Sequence, residues 1–241
     1  MVNHPLYPRG NMYLSGGMEY AKDLGSEWRR SCSVRLKQLG YFPLDISDLD
    51  ISYASKHGDI FRSVDQTDPL QRKMHIRRHF IYTDLQLIEK DSDALIVLLD
   101  ESVRKGSGTI SECQFAYNHD IPIFVVNSLP PGEKVSGWLF ALSTKIFDDF
   151  DSLYEYLGSL PDSILRRDAY GNRHSGDSYL CSLCGTPFKK HKTHYVSKVS
   201  PLYCKSCVDL VKETYDNHKD RYEFMVETLE NTRVDEMKGL T

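Results

Sequence analysis

Apolar and polar positions alternate between two periods along the first two thirds of the chain. Met12–Ser15 is short, apolar and extended in character, and Gly16-Gly17 follows it, so it predicts a strand ending in a tight turn. From Ser26 the apolar positions Trp28, Cys32, Val34, Leu36 and Leu39 recur at helical spacing, and Gly40 is suited to close that helix. Tyr41–Ile46 predicts a second strand. A β-α-β start of this kind favours a parallel sheet. Pro69 suits the first turn of a further helix, in which Met74, Ile81, Leu85 and Ile88 form an apolar stripe. Phe80, Asp84 and Ile88 are four apart, which places the Asp84 carboxylate beside apolar side chains on one face. The unbroken apolar run Asp93–Leu99 predicts a central strand covered on both sides, with Asp100 at its C-terminal end. A Gly-rich loop, KGSGT, leads to a helix over Ser111–His119, with Thr109 or Ser111 near its cap. Ile121–Asn127 predicts another buried strand, Trp138–Phe147 is mixed, and Asp149–Leu157 predicts a closing helix with Phe150, Leu153, Tyr154 and Leu157 inward.

Two polar stretches interrupt the pattern. Ser47–Thr67 is long and irregular, with Lys56, His57, Asp59 and Arg62, and reads as a lid, a substrate loop or a surface insertion. Residues 159–178 are rich in Asp, Arg, Gly and Ser and read as a linker. The expected organisation is therefore a first domain over residues 1–158, a linker over 159–178, and a small module over 179–241 that ends in a charged helix near 208–234.

Composition narrows the function classes. Of 241 residues, 40% are hydrophobic, enough for a core, and the net charge of −4 excludes a chain that is basic throughout, so any nucleic-acid contact must be local. No apolar run approaches the ~20 residues that span a bilayer, and the N-terminus has no apolar leader segment, so the expectation is an intracellular, cytoplasmic protein without a membrane role.

Four of the six cysteines are paired in sequence: Cys181 and Cys184 in CSLC, Cys204 and Cys207 in CKSC. Two such knuckles at this spacing point to a four-thiolate tetrahedral zinc site of zinc-ribbon or treble-clef type. With all four positions filled by protein, that zinc is expected to be structural. The intervening stretch holds Lys189, Lys190, Lys192 and Lys198 with His191, His194 and Tyr195. It reads either as a phosphate-contacting patch or as a solvated hairpin edge.

Candidate chemistry in the first domain gathers at strand ends, where open α/β sheets bind ligands. Glycines in KGSGT would let backbone N–H groups approach an anion, or simply connect strand to helix. Glu112, expected in the first turn of the following helix, reads equally as a nucleophile or base and as a solvated capping residue. Cys113 reads as core, and His75, His79 and His119 lack ligand spacing.

Several short motifs occur in a recognisable order: YLSGGME, WRR, LGYFPLD, YTDLQLIEKDSDALIVLLD, GSGTISECQFA and IPIFVVN. From Asn11 to Leu157 the chain resembles the nucleoside 2-deoxyribosyltransferase-like superfamily, which includes nucleoside 5′-monophosphate N-glycosidases. The resemblance implies a flavodoxin-like, doubly wound parallel sheet and a homo-oligomer. It implies that Glu112 is the nucleophile at C1′, that Tyr13 orients it, and that Asp84 takes part in protonating the base. Asp100 stands where deoxyribosyltransferases carry a further aspartate, followed here by a longer loop. Gly16, Gly17, Met18, Asp100, Ser107, Gly108 and Thr109 are the expected substrate contacts, and Arg29, Arg77 and Arg78 are candidate phosphate partners.

The leading expectation is thus an enzyme, a transferase or hydrolase acting at the N-glycosidic bond of a nucleoside or nucleotide. Two alternatives stand beside it. One is a nucleotide-sensing protein whose zinc module docks nucleic acid or a protein. The other is a glycosidase acting on a base within a polynucleotide delivered by the basic hairpin.

Overall fold

Five parallel strands form the centre of the molecule, in the order β2-β1-β3-β4-β5. They are β1 (Gly10–Gly16), β2 (Tyr41–Leu44), β3 (Ala94–Leu99), β4 (Ile123–Asn127) and β5 (Lys145–Phe147). The computed structural model describes residues 7–21, 23–48, 68–162, 164–167, 178–189 and 203–210. This strand order is the flavodoxin-like one, and it reverses between β1 and β3, where such sheets bind ligands.

The pleat sorts the strand residues into two cores. Met12, Leu14, Ala94, Ile96, Phe124 and Val126 face helices α1 (Ser26–Gln38) and α7 (Phe150–Ser159). Tyr13, Leu95, Val97, Leu99, Ile123 and Val125 face the opposite layer, which includes α5 (Gly108–Asn118) and α6 (Gly137–Leu142). Strands flanked by helices on both sides read as continuous apolar runs, which is why ALIVLL and IFVVN carry no alternation.

The helices follow the expected pattern with local differences. Asp68 caps α2 (Pro69–His75), accepting from the backbone N–H of Leu70 at 2.9 Å and Gln71 at 3.1 Å. The helix continues through the π-wound turn Ile76–Ile81, α3 (Tyr82–Gln86) and the π-wound turn Leu87–Asp91. The predicted apolar stripe holds only in its second half: Ile88 is buried and Leu85 packs on the core, whereas Met74 is 57% exposed and Ile81 51%. Gly40 follows α1 in the left-handed region, as expected for its closing glycine.

The segment after β3 departs from a plain Gly-rich loop. Asp100 caps a short helix, α4 (Glu101–Lys105), and α5 begins at Gly108 with Ser107 preceding it. Glu112 therefore lies one turn farther into its helix than the first-turn position expected. The flexible-looking glycine is absorbed because the apolar face of α5, Thr109, Cys113 and Ala116, continues back to it.

Leu160, Ile164 and Leu165 are buried in the first core, although the surrounding sequence is polar. Arg167 donates its backbone N–H to Asp93 Oδ1 at 2.8 Å, and Asp93 Oδ2 accepts from Asn11 N at 2.8 Å. The C-terminal part has the hairpin β6 (Ser178–Leu180) and β7 (Pro187–Lys189), with CSLC in its turn, and a helical segment over 205–210. Apart from the Lys189 backbone, the basic stretch with Lys190, Lys192, Lys198, His191, His194 and Tyr195 lies outside the described residues. So do Lys56, His57, Asp59, Arg62 and most of the expected terminal helix. Among the described residues no helix is long and apolar enough to cross a membrane.

Candidate functional site

The end of β1 presents two hydroxyls to one carboxylate. Tyr13 and Ser15 are two apart on an extended strand, so they share a face. Tyr13 OH donates to Glu112 Oε1 at 3.2 Å, and Ser15 Oγ donates to Glu112 Oε2. Glu112 sits at the edge of the buried face of α5, beside Thr109, Cys113 and Ala116, and so points back at the strand rather than into solvent. Both carboxylate oxygens are thereby held in a defined orientation.

Electrostatics at this point are unusual for a glutamate. Burial pushes the Glu112 carboxyl above its ordinary value, against the hydrogen bonds from Ser15 and Tyr13 and the positive charge of Arg29, which act downward. Tyr13 is held well above the ordinary tyrosine value by burial, then by the charges of Glu112 and Asp84. Its phenol thus stays protonated and remains a donor across neutral pH. Asp84 is half-buried on α3, which packs against α5, and its charge acts on Tyr13. Tyr13, Ser15, Glu112 and Asp84 thus form one acidic, hydroxyl-lined group at the switch point of the sheet.

The other predicted site residues are placed as follows. Gly16 ends β1, Gly17 follows it, and both are tightly packed: a Cβ at Gly16 would lie 2.8 Å from the Trp28 ring, and one at Gly17 would lie 1.9 Å from Ser102 Oγ. Met18 packs at the margin of the second core. Asp100 accepts through Oδ1 from Ser102 N at 2.9 Å, Ser102 Oγ at 2.5 Å and Val103 N at 3.2 Å, the hydrogen bonds of a helix cap. Ser107 and Gly108 are exposed at the start of α5, while Thr109 is buried. Ser107 accepts through its carbonyl from Ser111 N at 3.0 Å and Ser111 Oγ at 2.9 Å.

Ser15 and Arg29 take their places only in the fold. Ser15 is the last residue of the predicted strand Met12–Ser15, and its i,i+2 relation to Tyr13 is the sequence signal that the two share a partner. Arg29, considered as a candidate phosphate partner on a helix surface, is fully buried. Its guanidinium is occupied by the carbonyls of Leu14, Leu24, Gly25 and Gly16. Arg77 and Arg78 are exposed. Cys113 is buried and its thiol is pushed up by burial, which keeps it neutral.

The second cluster is made of cysteines. The sulfurs of Cys181, Cys184, Cys204 and Cys207 all lie within 4.8 Å of one another, and Cys184 Sγ is 3.8 Å from Cys204 Sγ. A tetrahedral centre with metal–sulfur bonds of about 2.3 Å requires sulfurs about 3.8 Å apart, so this set could hold a metal ion. The knuckle turns that present the sulfurs are closed by Gly185 N donating to Cys181 O at 2.9 Å and Cys207 N donating to Cys204 O at 3.0 Å. The knuckle leans on α7 and the first core: Tyr156 OH donates to Gly185 O at 2.6 Å, and Leu180 joins that core.

No known protein family matches the chain, and no curated protein sequence matches it. A solved structure similar to it is that of a 2-deoxyribosyltransferase from the psychrotolerant bacterium Bacillus psychrosaccharolyticus, described as a biocatalyst for nucleoside synthesis. The two share 15% sequence identity at a TM-score of 0.44, over 61% of this chain and 91% of that one.

Proposed function

We propose that this chain acts at the N-glycosidic bond of a nucleoside or nucleotide, by transfer or by hydrolysis, with Glu112 as the attacking carboxylate. The observation that carries the reading is the grip of Tyr13 and Ser15 on the two oxygens of a half-buried glutamate at the switch point of the sheet. A surface capping residue would need neither partner. The motif order from Asn11 to Leu157 supports the same reading.

In this mechanism an oxygen of ionised Glu112 bonds to C1′ as the bond from C1′ to the base nitrogen breaks. The electron pair leaves with the base. Positive charge develops on the sugar in the transition state, and the nearby carboxylate stabilises it. The departing nitrogen takes up a proton, and Asp84 is assigned to that delivery. A second base, or water, then attacks C1′, its proton passes to the Asp84 carboxylate, and the C1′–oxygen bond breaks with its electron pair returning to Glu112. Tyr13 and Ser15 orient the carboxylate throughout.

Cys181, Cys184, Cys204 and Cys207 are assigned to a structural zinc ion. With four thiolates it has no open position for chemistry, and its contribution is to hold a small module that has little core of its own.

The test is incubation with a panel of nucleosides and 5′-phosphates, with chromatography for free base and exchanged nucleosides. Base release that is abolished in a folded Glu112→Gln protein supports the reading. Full turnover by that variant sinks it.

A further inference from the structure

Arg29 is among the largest fully buried side chains of the protein, and its surroundings explain why a cation is kept there. β2 accompanies β1 only as far as Tyr13, opposite Leu44, whereas β3 runs beside it to Gly16. Beyond Tyr13, Arg29 stands where a longer β2 would have been. Its Nε donates to Leu14 O at 3.2 Å and its Nη2 to Gly16 O at 2.9 Å. Nη1 donates to Gly25 O at 3.0 Å and Leu24 O at 3.3 Å, tying the same group to the turn that opens α1. The Trp28 ring covers the guanidinium at 4.8 Å.

The two β1 carbonyls bracket Ser15. We propose that Arg29 is a positioning residue: by clamping the carbonyls on either side of Ser15, it holds the end of β1 in the orientation in which Ser15 Oγ and Tyr13 OH both meet Glu112. Only a rigid planar fork with several donors can serve two carbonyls two residues apart and two more from another turn. An ammonium is a point charge on a flexible stem and cannot. The charge also matters: Arg29 lowers the carboxyl of Glu112 and the phenol of Tyr13, and Asp45 and Asp23 act on Arg29 in turn.

The activity readout rests on the glycosidic reading above, so the test includes one that does not. Arg29→Lys is made in the full chain, alone and together with Ser15→Ala. The titration of Glu112 is followed by carbon-13 NMR, its signal assigned by loss in Glu112→Gln, and base release is followed in parallel. Arg29→Lys keeps the charge but loosens the clamp. It should move the Glu112 titration upward by about one pH unit and lower kcat on the order of 100-fold, with KM within about threefold. In the Ser15→Ala background the same substitution should change both far less, because the partner it acts through is gone.

A folded Arg29→Lys protein with wild-type titration overturns the proposal, as do effects that simply add to those of Ser15→Ala. Should Arg29→Lys fail to fold, Gly25→Ala replaces it. Its added Cβ would stand 2.3 Å from Nη1 and 2.6 Å from Gly17 O, at a backbone φ of +71°, so it displaces the clamp together with the turn it ties, with the cation retained. The same upward shift supports the proposal, and an unchanged titration overturns it. Should the wild type release no base from any substrate, the glycosidic reading falls while the titration still decides the role of Arg29.

Discussion

Ser15→Ala isolates one hydrogen bond at the carboxylate. Ser15 is fully buried on β1, its Oγ donates to Glu112 Oε2, and alanine fits the same extended backbone, so the strand should survive the change. A hydrogen bond to a charged group contributes about 1.5–3 kcal/mol, and one pH unit corresponds to about 1.4 kcal/mol. The bond favours the ionised form, so its loss should raise the Glu112 titration by about 1–2 pH units. Burial already acts in that direction. If ionised Glu112 is the nucleophile, the acid limb of kcat/KM moves to higher pH by the same amount. Below the acid limb of the wild type turnover falls roughly 10- to 100-fold, and the loss is recovered as pH rises through the shifted limb. The assay is a pH profile of base release for both proteins, with circular dichroism to confirm folding. An acid limb that stays in place in a folded Ser15→Ala protein would refute the assignment of Glu112 as the ionised, hydroxyl-held nucleophile.

Other outcomes follow from the same geometry. Tyr13→Phe should cost less activity than Ser15→Ala, because its hydroxyl lies at 3.2 Å, beyond the usual O–H···O range; a rate comparison at one pH decides it. Glu112→Gln should be thermally more stable than wild type at neutral pH. The folded carboxyl titrates above its unfolded value of 4.5, so the stability that group contributes is complete below that pH and is lost as pH rises through the folded value; the advantage should vanish in acid, by melting curves from pH 4 to 8. Gly17→Ala should destabilise by about 1–3 kcal/mol in urea, because its Cβ would meet Ser102 Oγ at 1.9 Å and the Ser102 backbone at 3.1 Å. Cys184→Ser should lose bound metal by elemental analysis and lower the melting temperature of the whole chain, because the knuckle is tied to α7 through Tyr156 and Gly185. A melt unchanged by chelation would separate the two parts.

Much of the architecture was readable in advance because it follows from local periodicity. ALIVLL and IFVVN are apolar without alternation, a pattern that suits strands covered on both faces, and helices α1 and α7 form where apolar residues recur at helical spacing. The cysteine knuckles were equally plain, since ligand type and short spacing nearly define the geometry. Packing overrides local signals at two places. KGSGT reads as loop, yet Gly108 is helical because Thr109, Cys113 and Ala116 carry the buried face of α5 back to it. Met74 and Ile81 fit an apolar stripe and are nevertheless exposed.

The residue types, their order and their periods were enough to set a parallel α/β sheet, the strand ends at which chemistry would sit, and Asp84 and Glu112 as the groups to watch, while Tyr13 came from the family resemblance. These are properties of neighbours along the chain. That Ser15 shares Glu112 with Tyr13, and that Arg29 is a buried clamp rather than a surface cation, depended on which segments meet in space. β2 stops at Leu44, opposite Tyr13 and three residues before β1 ends at Gly16, and α5 brings a carboxylate to that end from nearly a hundred residues away. No local period encodes a contact at that separation, because the burial of Arg29 and the raised carboxyl of Glu112 come into being only when the layers close around them.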